Sequence, residues 1–185
     1  MKENVLTKAN AYKGINEISM KGEIVIFGST YMAGFPFYEL TNRCNLENAV
    51  YNRSITDLTI NEAKEILQDC VLSLKPSKVF LDLGEEDSDR SDAICKYNEI
   101  VNIIRKELPR TKLYLICLTD ESAYANNFNK NIISLCKKDK KINYIQFNTA
   151  DFSAGVQYKE RFKQMSCFFR DTSLNMANAF AMANL

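Results

Sequence analysis

Apolar positions along this chain switch between two periods. Short, nearly continuous apolar runs predict buried strands at "EIVIFG" (23–28), "KVFLDLG" (78–84), "KLYLICLT" (112–119) and "INYIQFN" (142–148), with "AVYNRSI" (49–55) as a shorter one. Between them the period lengthens to that of a helix. In "TINEAKEILQDCVLSL" (59–74) the residues Ile60, Ala63, Ile66, Leu67, Cys70, Val71 and Leu74 share one face. Thr59 followed by Glu62 suits a capping box, and Pro76 comes just after the helix. Further helices are predicted at 91–108, stopped before Pro109, at 123–139, with lysines at the end that favours cations, and at 174–185, closing the chain.

Apolar strands alternating with helices imply an α/β fold: a three-layer α/β/α sandwich around a parallel sheet of about five strands, covered on both faces. In such folds the loops at the C-terminal ends of the strands carry the site. Here they read "GSTYMAG", "NRSITD", "GEEDSD", "TDES" and "NTADFSAG". The chain has 185 residues, 46% of them hydrophobic, which fits one domain with a real core. No repeat, low-complexity segment or linker divides it.

Charge narrows the partners. Twenty-four basic and 23 acidic residues leave a net +1 without a basic stripe, so nucleic acid is not an expected partner. No run approaches the ~20 apolar residues of a membrane span, and the first residues lack the apolar stretch of a signal peptide. Six cysteines, at 44, 70, 95, 117, 136 and 167, form no Cys-x-x-Cys pair, and there is no histidine. This argues against structural zinc and for reduced thiols in a cytoplasmic compartment. No cofactor is expected.

The order of the loop motifs resembles the SGNH (GDSL-type) hydrolases, a family of α/β esterases and acylhydrolases with a flavodoxin-like sheet. That family opens with an apolar strand and Gly-Asp-Ser; here "IVIFGSTYMAG" supplies Gly28-Ser29-Thr30, with Gly34 a few residues on. The second block, Asn-Arg-Gly-like, is similar to "YNRSITDLT". The third, a strand then Gly-x-Asn-Asp, is similar to "KVFLDLGEED", which contains Gly84. The last, Asp-x-x-His-x-Asn before a terminal helix, is similar to "RDTSLNMANAFAMANL". The resemblance spans roughly residues 22–185 and leaves residues 1–21 as an N-terminal extension packed on the domain.

Carried over position by position, the resemblance puts the nucleophile at Thr30, beside Ser29. It puts the oxyanion glycine near Asp57, the oxyanion asparagine at Glu86, the orienting aspartate at Arg170 (or Asp171 after a one-residue gap) and the histidine at Ser173. Every defining position differs. A hydroxyl nucleophile needs a base within reach, and an ionised Glu86 offers only acceptors where the family has a donor. The resemblance with these losses implies a degenerate member, a pseudoenzyme that binds a small molecule or protein partner.

Other readings stay open at several positions. The Thr30 hydroxyl is expected to cap the turn after the first strand, the alternative being attack with a carboxylate base such as Glu86 or Asp171. Glu85, Glu86 and Asp87, with Asp57 nearby, form a solvated acidic loop in which Asp87 caps the next segment, or else hold a cationic ligand or a hard cation. Arg53 and Arg170 are surface residues, or approach the pocket to balance its carboxylates or clamp an anion. The aromatic "FPFYEL" (35–40) packs over the sheet edge or lines the pocket or an interface. With the N-terminal arm it would make an interaction surface.

Overall fold

The computed structural model describes residues 1–42, 46, 48–147 and 154–170. Five parallel strands form one sheet: β1 (Ile24–Gly28), β2 (Val50–Asn52), β3 (Lys78–Asp82), β4 (Lys112–Ile116) and β5 (Ile142–Ile145), in the order β2-β1-β3-β4-β5. All five fall within the sequence-predicted runs. The chain leaves β1 towards β2 on one side and returns to β3 on the other. The C-terminal ends of β1 and β3 therefore flank the point where a parallel sheet opens a crevice. Gly28 lies opposite Asp82 in this register.

Alternation along the strands divides the core in two. Val25, Phe27, Val79, Leu81, Leu113 and Leu115 face one side. There they meet α1 (Glu3–Ile18), α4 (Ile60–Glu65), α5 (Leu67–Cys70), α6 (Ala93–Glu107) and α7 (Ala123–Lys138). Ile24, Ile26, Phe80, Tyr114, Ile116 and Ile145 face the other, against α2 (Thr30–Ala33), α3 (Phe37–Thr41) and α8 (Ala154–Ser166). This is the three-layer sandwich expected.

The helix predicted over 59–74 is broken. Its start is as expected, with Thr59 and Glu62 forming a reciprocal capping box. The backbone leaves helical geometry at Ile66 (φ −95°, ψ 3°) and again at Val71 (φ −126°, ψ −59°), giving α4, α5 and a short 3-10 turn over Leu72–Leu74. All seven residues of the predicted apolar face are nonetheless buried. The second break frees the Asp69 carbonyl, which accepts from the Asn16 amide (2.6 Å) and the Ser73 hydroxyl (3.2 Å). α1 thus covers α5 and meets its polar backbone, while Val5 and Ala9 join the core.

The short helix α3 takes up most of the aromatic segment, and α2 precedes it. Phe35 and Phe37 are buried against each other, with ring centroids 4.5 Å apart, and only Tyr38 is strongly exposed. The segment's rings are therefore split, Phe35 and Phe37 in the core and Tyr38 outside it. α8 begins at the end of the loop read as "NTADFSAG" and runs through a stretch to which the sequence pattern assigned no element. The helix expected at 174–185 lies outside the described residues.

Candidate functional site

β1 ends where no side chain fits. A Cβ on Gly28 would lie 2.7 Å from the Asp82 carbonyl oxygen and 2.9 Å from its Cβ. β1 and β3 can close up only with glycine there, and the approach sets Ser29 beside the loop after β3. Gly84 in that loop has φ +110°, and a Cβ on it would meet the Phe128 ring at 2.7 Å. Glycine is required twice over, for the left-handed backbone and for the space. Its carbonyl accepts from the Tyr124 hydroxyl at 3.0 Å.

Four sequence-predicted residues come together at this rim. The Thr30 hydroxyl donates to Glu86 Oε1 at 2.6 Å and accepts from the Asp57 backbone N–H at 2.9 Å. Ser29 is fully buried and donates to the same Glu86 oxygen at 3.3 Å. Neither hydroxyl caps a helix, contrary to the expectation for Thr30: α2 has no side-chain cap. Asp57 has φ 58°, a left-handed conformation that aspartate tolerates and glycine adopts freely.

The other predicted positions are placed differently. Arg53 points away from the rim, under α1. Its Nε and Nη2 donate to Asn16 Oδ1 at 3.0 and 2.8 Å, and its guanidinium lies over the Tyr12 and Tyr51 rings. It is a buried pin between β2 and α1, so the pocket role is corrected. Asp87 also turns inward. Its Oδ2 accepts from the Ile60 N–H at 3.0 Å, so it caps α4, upstream in the chain, and not the segment after it. Burial raises its carboxyl above the ordinary range. Arg170 is half-buried just past α8, and Asp171 and Ser173 lie outside the described residues. No group of three or more metal-ligating side chains is present among the described residues.

Beside this cluster the strand ends enclose a cavity of about 230 Å³ whose polar lining is Tyr31, Asp82, Glu85, Thr119, Asp120 and Arg161. Sequence reading named only Glu85 among these. Asp82 closes β3 and is partly buried. Desolvation, reinforced by Glu85, lifts its carboxyl to about 7, against a smaller lowering by Arg161. Desolvation also raises Glu85, with Glu86 adding to it. Arg161, from α8, is more than nine-tenths buried, 4.4 Å from the Tyr31 ring centroid and 5.2 Å from that of Phe147. Its Nε and the Tyr31 hydroxyl are both buried without a hydrogen-bond partner among the described residues. A signal for α8 did exist: Phe162, Met165 and Phe169 recur at helical spacing and are buried.

Among solved structures the chain is similar to a Streptococcus pneumonia protein described as a platelet activating factor (TM-score 0.77, 15% identity, 91% of this chain and 94% of that one). It is also similar to an acylhydrolase of Bacteroides fragilis (TM-score 0.69, 12% identity, 92% and 100%). A third is the family 3 carbohydrate esterase of Clostridium thermocellum (TM-score 0.64, 12% identity, 84% and 99%). The fold is thus that of the SGNH/GDSL hydrolases. No family model matches the sequence, and no curated protein matches it.

Proposed function

We propose that this chain is a ligand-binding protein on the GDSL-hydrolase fold that does not hydrolyse esters by a serine–histidine route. One observation carries it. The Thr30 hydroxyl stands at the nucleophile position but is held in a closed set of contacts, giving its hydrogen to Glu86 and receiving the Asp57 N–H. The N–H at the position of the family's oxyanion glycine is spent on the hydroxyl itself. The family's oxyanion asparagine is replaced by a carboxylate, which accepts only. Negative charge developing on a substrate would meet Glu86, with Asp57 beside it, in place of donors. Losing a single such donor typically costs about 10²–10³ in rate. The chain has no histidine to act as base.

A second function, ester or acyl hydrolysis with rebuilt machinery, is favoured by one distance: 2.6 Å between Thr30 Oγ1 and Glu86 Oε1 puts a carboxylate in reach of the hydroxyl proton. Both are tested by hydrolysis of p-nitrophenyl acetate by the wild type, Thr30→Ala and Glu86→Gln. Equal background rates are expected. Activity lost in both variants would establish hydrolysis instead. Interaction through the N-terminal arm and aromatic segment has less support, because Phe35, Phe37, Val5 and Ala9 are already buried.

A further inference from the structure

We propose that the cavity between the ends of β3 and β4, Phe147 and α8 binds a zwitterionic α-amino acid with a small apolar side chain. The carboxylate would take the open donors of Arg161 and Tyr31, and the ammonium group would face Asp82, Glu85 and Asp120. This gives a ligand class to the binding reading above and rests on it, but uses a site next to the hydroxyl cluster rather than the cluster itself.

The charges in the cavity are close but not hydrogen-bonded: burial raises the carboxyls of Asp82 and Glu85 and the Tyr31 hydroxyl, and Arg161 lowers them, while its Nε has no partner among the described residues. Arg161 is more than nine-tenths buried and lines the cavity. Among the described residues neither its Nε nor the neighbouring Tyr31 hydroxyl has a hydrogen-bond partner. An unmade hydrogen bond at a buried donor is costly, more so for a charged group. A carboxylate bound to a guanidinium and a hydroxyl would meet that need, in the geometry arginine suits best. The rest of the charged lining is acidic, with Asp82 from the end of β3, Glu85 from the loop after it and Asp120 from the loop after β4. These three carboxylates would repel a simple carboxylic acid or phosphate. A simple amine would be held by them but would leave Arg161 and Tyr31 as they are. A ligand carrying both charges on one carbon answers both sets of groups.

Size and the remaining lining narrow the choice. About 230 Å³ is below the usual range for drug-sized ligands and suits a small one. Ile116, Leu118 and Phe147 complete the wall with apolar surface for a short side chain.

The test is isothermal titration calorimetry of the full chain with L-alanine, L-valine and L-leucine, and with the N-acetyl and the amide derivative of each. At least one parent amino acid is expected to bind, and either derivatisation is expected to weaken it at least tenfold. Arg161→Gln should abolish the heat. Because Arg161 also packs on two rings, Arg161→Lys and the rim substitution Asp120→Asn accompany it, each expected to weaken binding at least fivefold in a protein of unchanged circular dichroism. Lys137→Ala, exposed at the far end of α7, should bind as the wild type does. No heat from any of the three amino acids at ~10 mM (a concentration of the order of weak metabolite binding) would overturn the proposal. So would equal binding of the N-acetyl or amide derivatives. Ester hydrolysis decides the binding reading separately: amino acid binding can fail while hydrolysis is also absent, which removes only this inference.

Discussion

Two polar clusters stand side by side at the C-terminal rim of the sheet, and their hydrogen bonding is resolved in opposite ways. At Ser29, Thr30, Asp57 and Glu86 each hydroxyl has a partner within the protein, and Thr30 both gives and receives a hydrogen bond. At Tyr31, Asp82 and Arg161 a guanidinium N–H and a phenol are buried and have none among the described residues. The first cluster holds the residues that the sequence resemblance puts at the SGNH family's catalytic positions, and it is closed on itself. The second is open. A satisfied network rigidifies, whereas unmet buried donors point to something that completes them.

The largest expected effect comes from the glycine that holds the loop between the clusters. Gly84→Ala forces a side chain into a left-handed backbone and against Phe128. Urea denaturation should show a loss of about 3 kcal/mol. A loss under about 1 kcal/mol would mean that the loop relaxes freely and the contrast between the clusters is not fixed by the fold.

Asp82 comes next, through pH. Its carboxyl titrates near 7 in the folded chain against 3.8 when free. Below about pH 4 both states are protonated. Between about 4 and 7 the unfolded chain ionises first, so stability falls as pH rises, and above 7 the penalty is complete. At about 1.4 kcal/mol per pH unit the ceiling is on the order of 4 kcal/mol, and about 2 kcal/mol is expected after relaxation. Asp82→Asn should therefore stabilise the protein at pH 8, do little at pH 4, and flatten the profile between them in thermal melts. Identical profiles would remove the desolvated carboxylate from the open cluster.

Arg53 sharpens the contrast from outside, as a buried arginine whose donors are met. Arg53→Lys loses the two bonds to Asn16 and the stacking on Tyr12 and Tyr51, and should cost about 1–2 kcal/mol in denaturation. Arg161→Lys, whose Nε has no bond to lose, should cost less, and the reverse order would contradict the comparison. The smallest effect is at Thr30, which is exposed: Thr30→Val should lower stability by about 1 kcal/mol as the Asp57 N–H loses its acceptor.

The sheet, its five strands and the capping box were legible because buried parallel strands and a capped amphipathic helix announce themselves in period and spacing. The same reading missed the two breaks at Ile66 and Val71. No glycine or proline marks them, and the apolar face is kept across both. It brought Thr30, Asp57 and Glu86 to one place through loop order alone. It misplaced Arg53, whose partner on α1 lies 37 residues away in sequence at Asn16. It also passed over Arg161, because α8 is polar over most of its length and its buried apolar residues Phe162 and Met165 make only a short stripe at its end. The open cluster was thus the less legible one: its members come from four separated segments and carry no shared motif.

The most direct test of the closed cluster is intact-mass spectrometry after incubation with a fluorophosphonate, which labels activated serine and threonine hydroxyls covalently. The account predicts an unchanged mass at a concentration that fully labels a GDSL esterase in parallel. A single adduct that disappears in Thr30→Ala would show that the hydroxyl is a working nucleophile and contradict it.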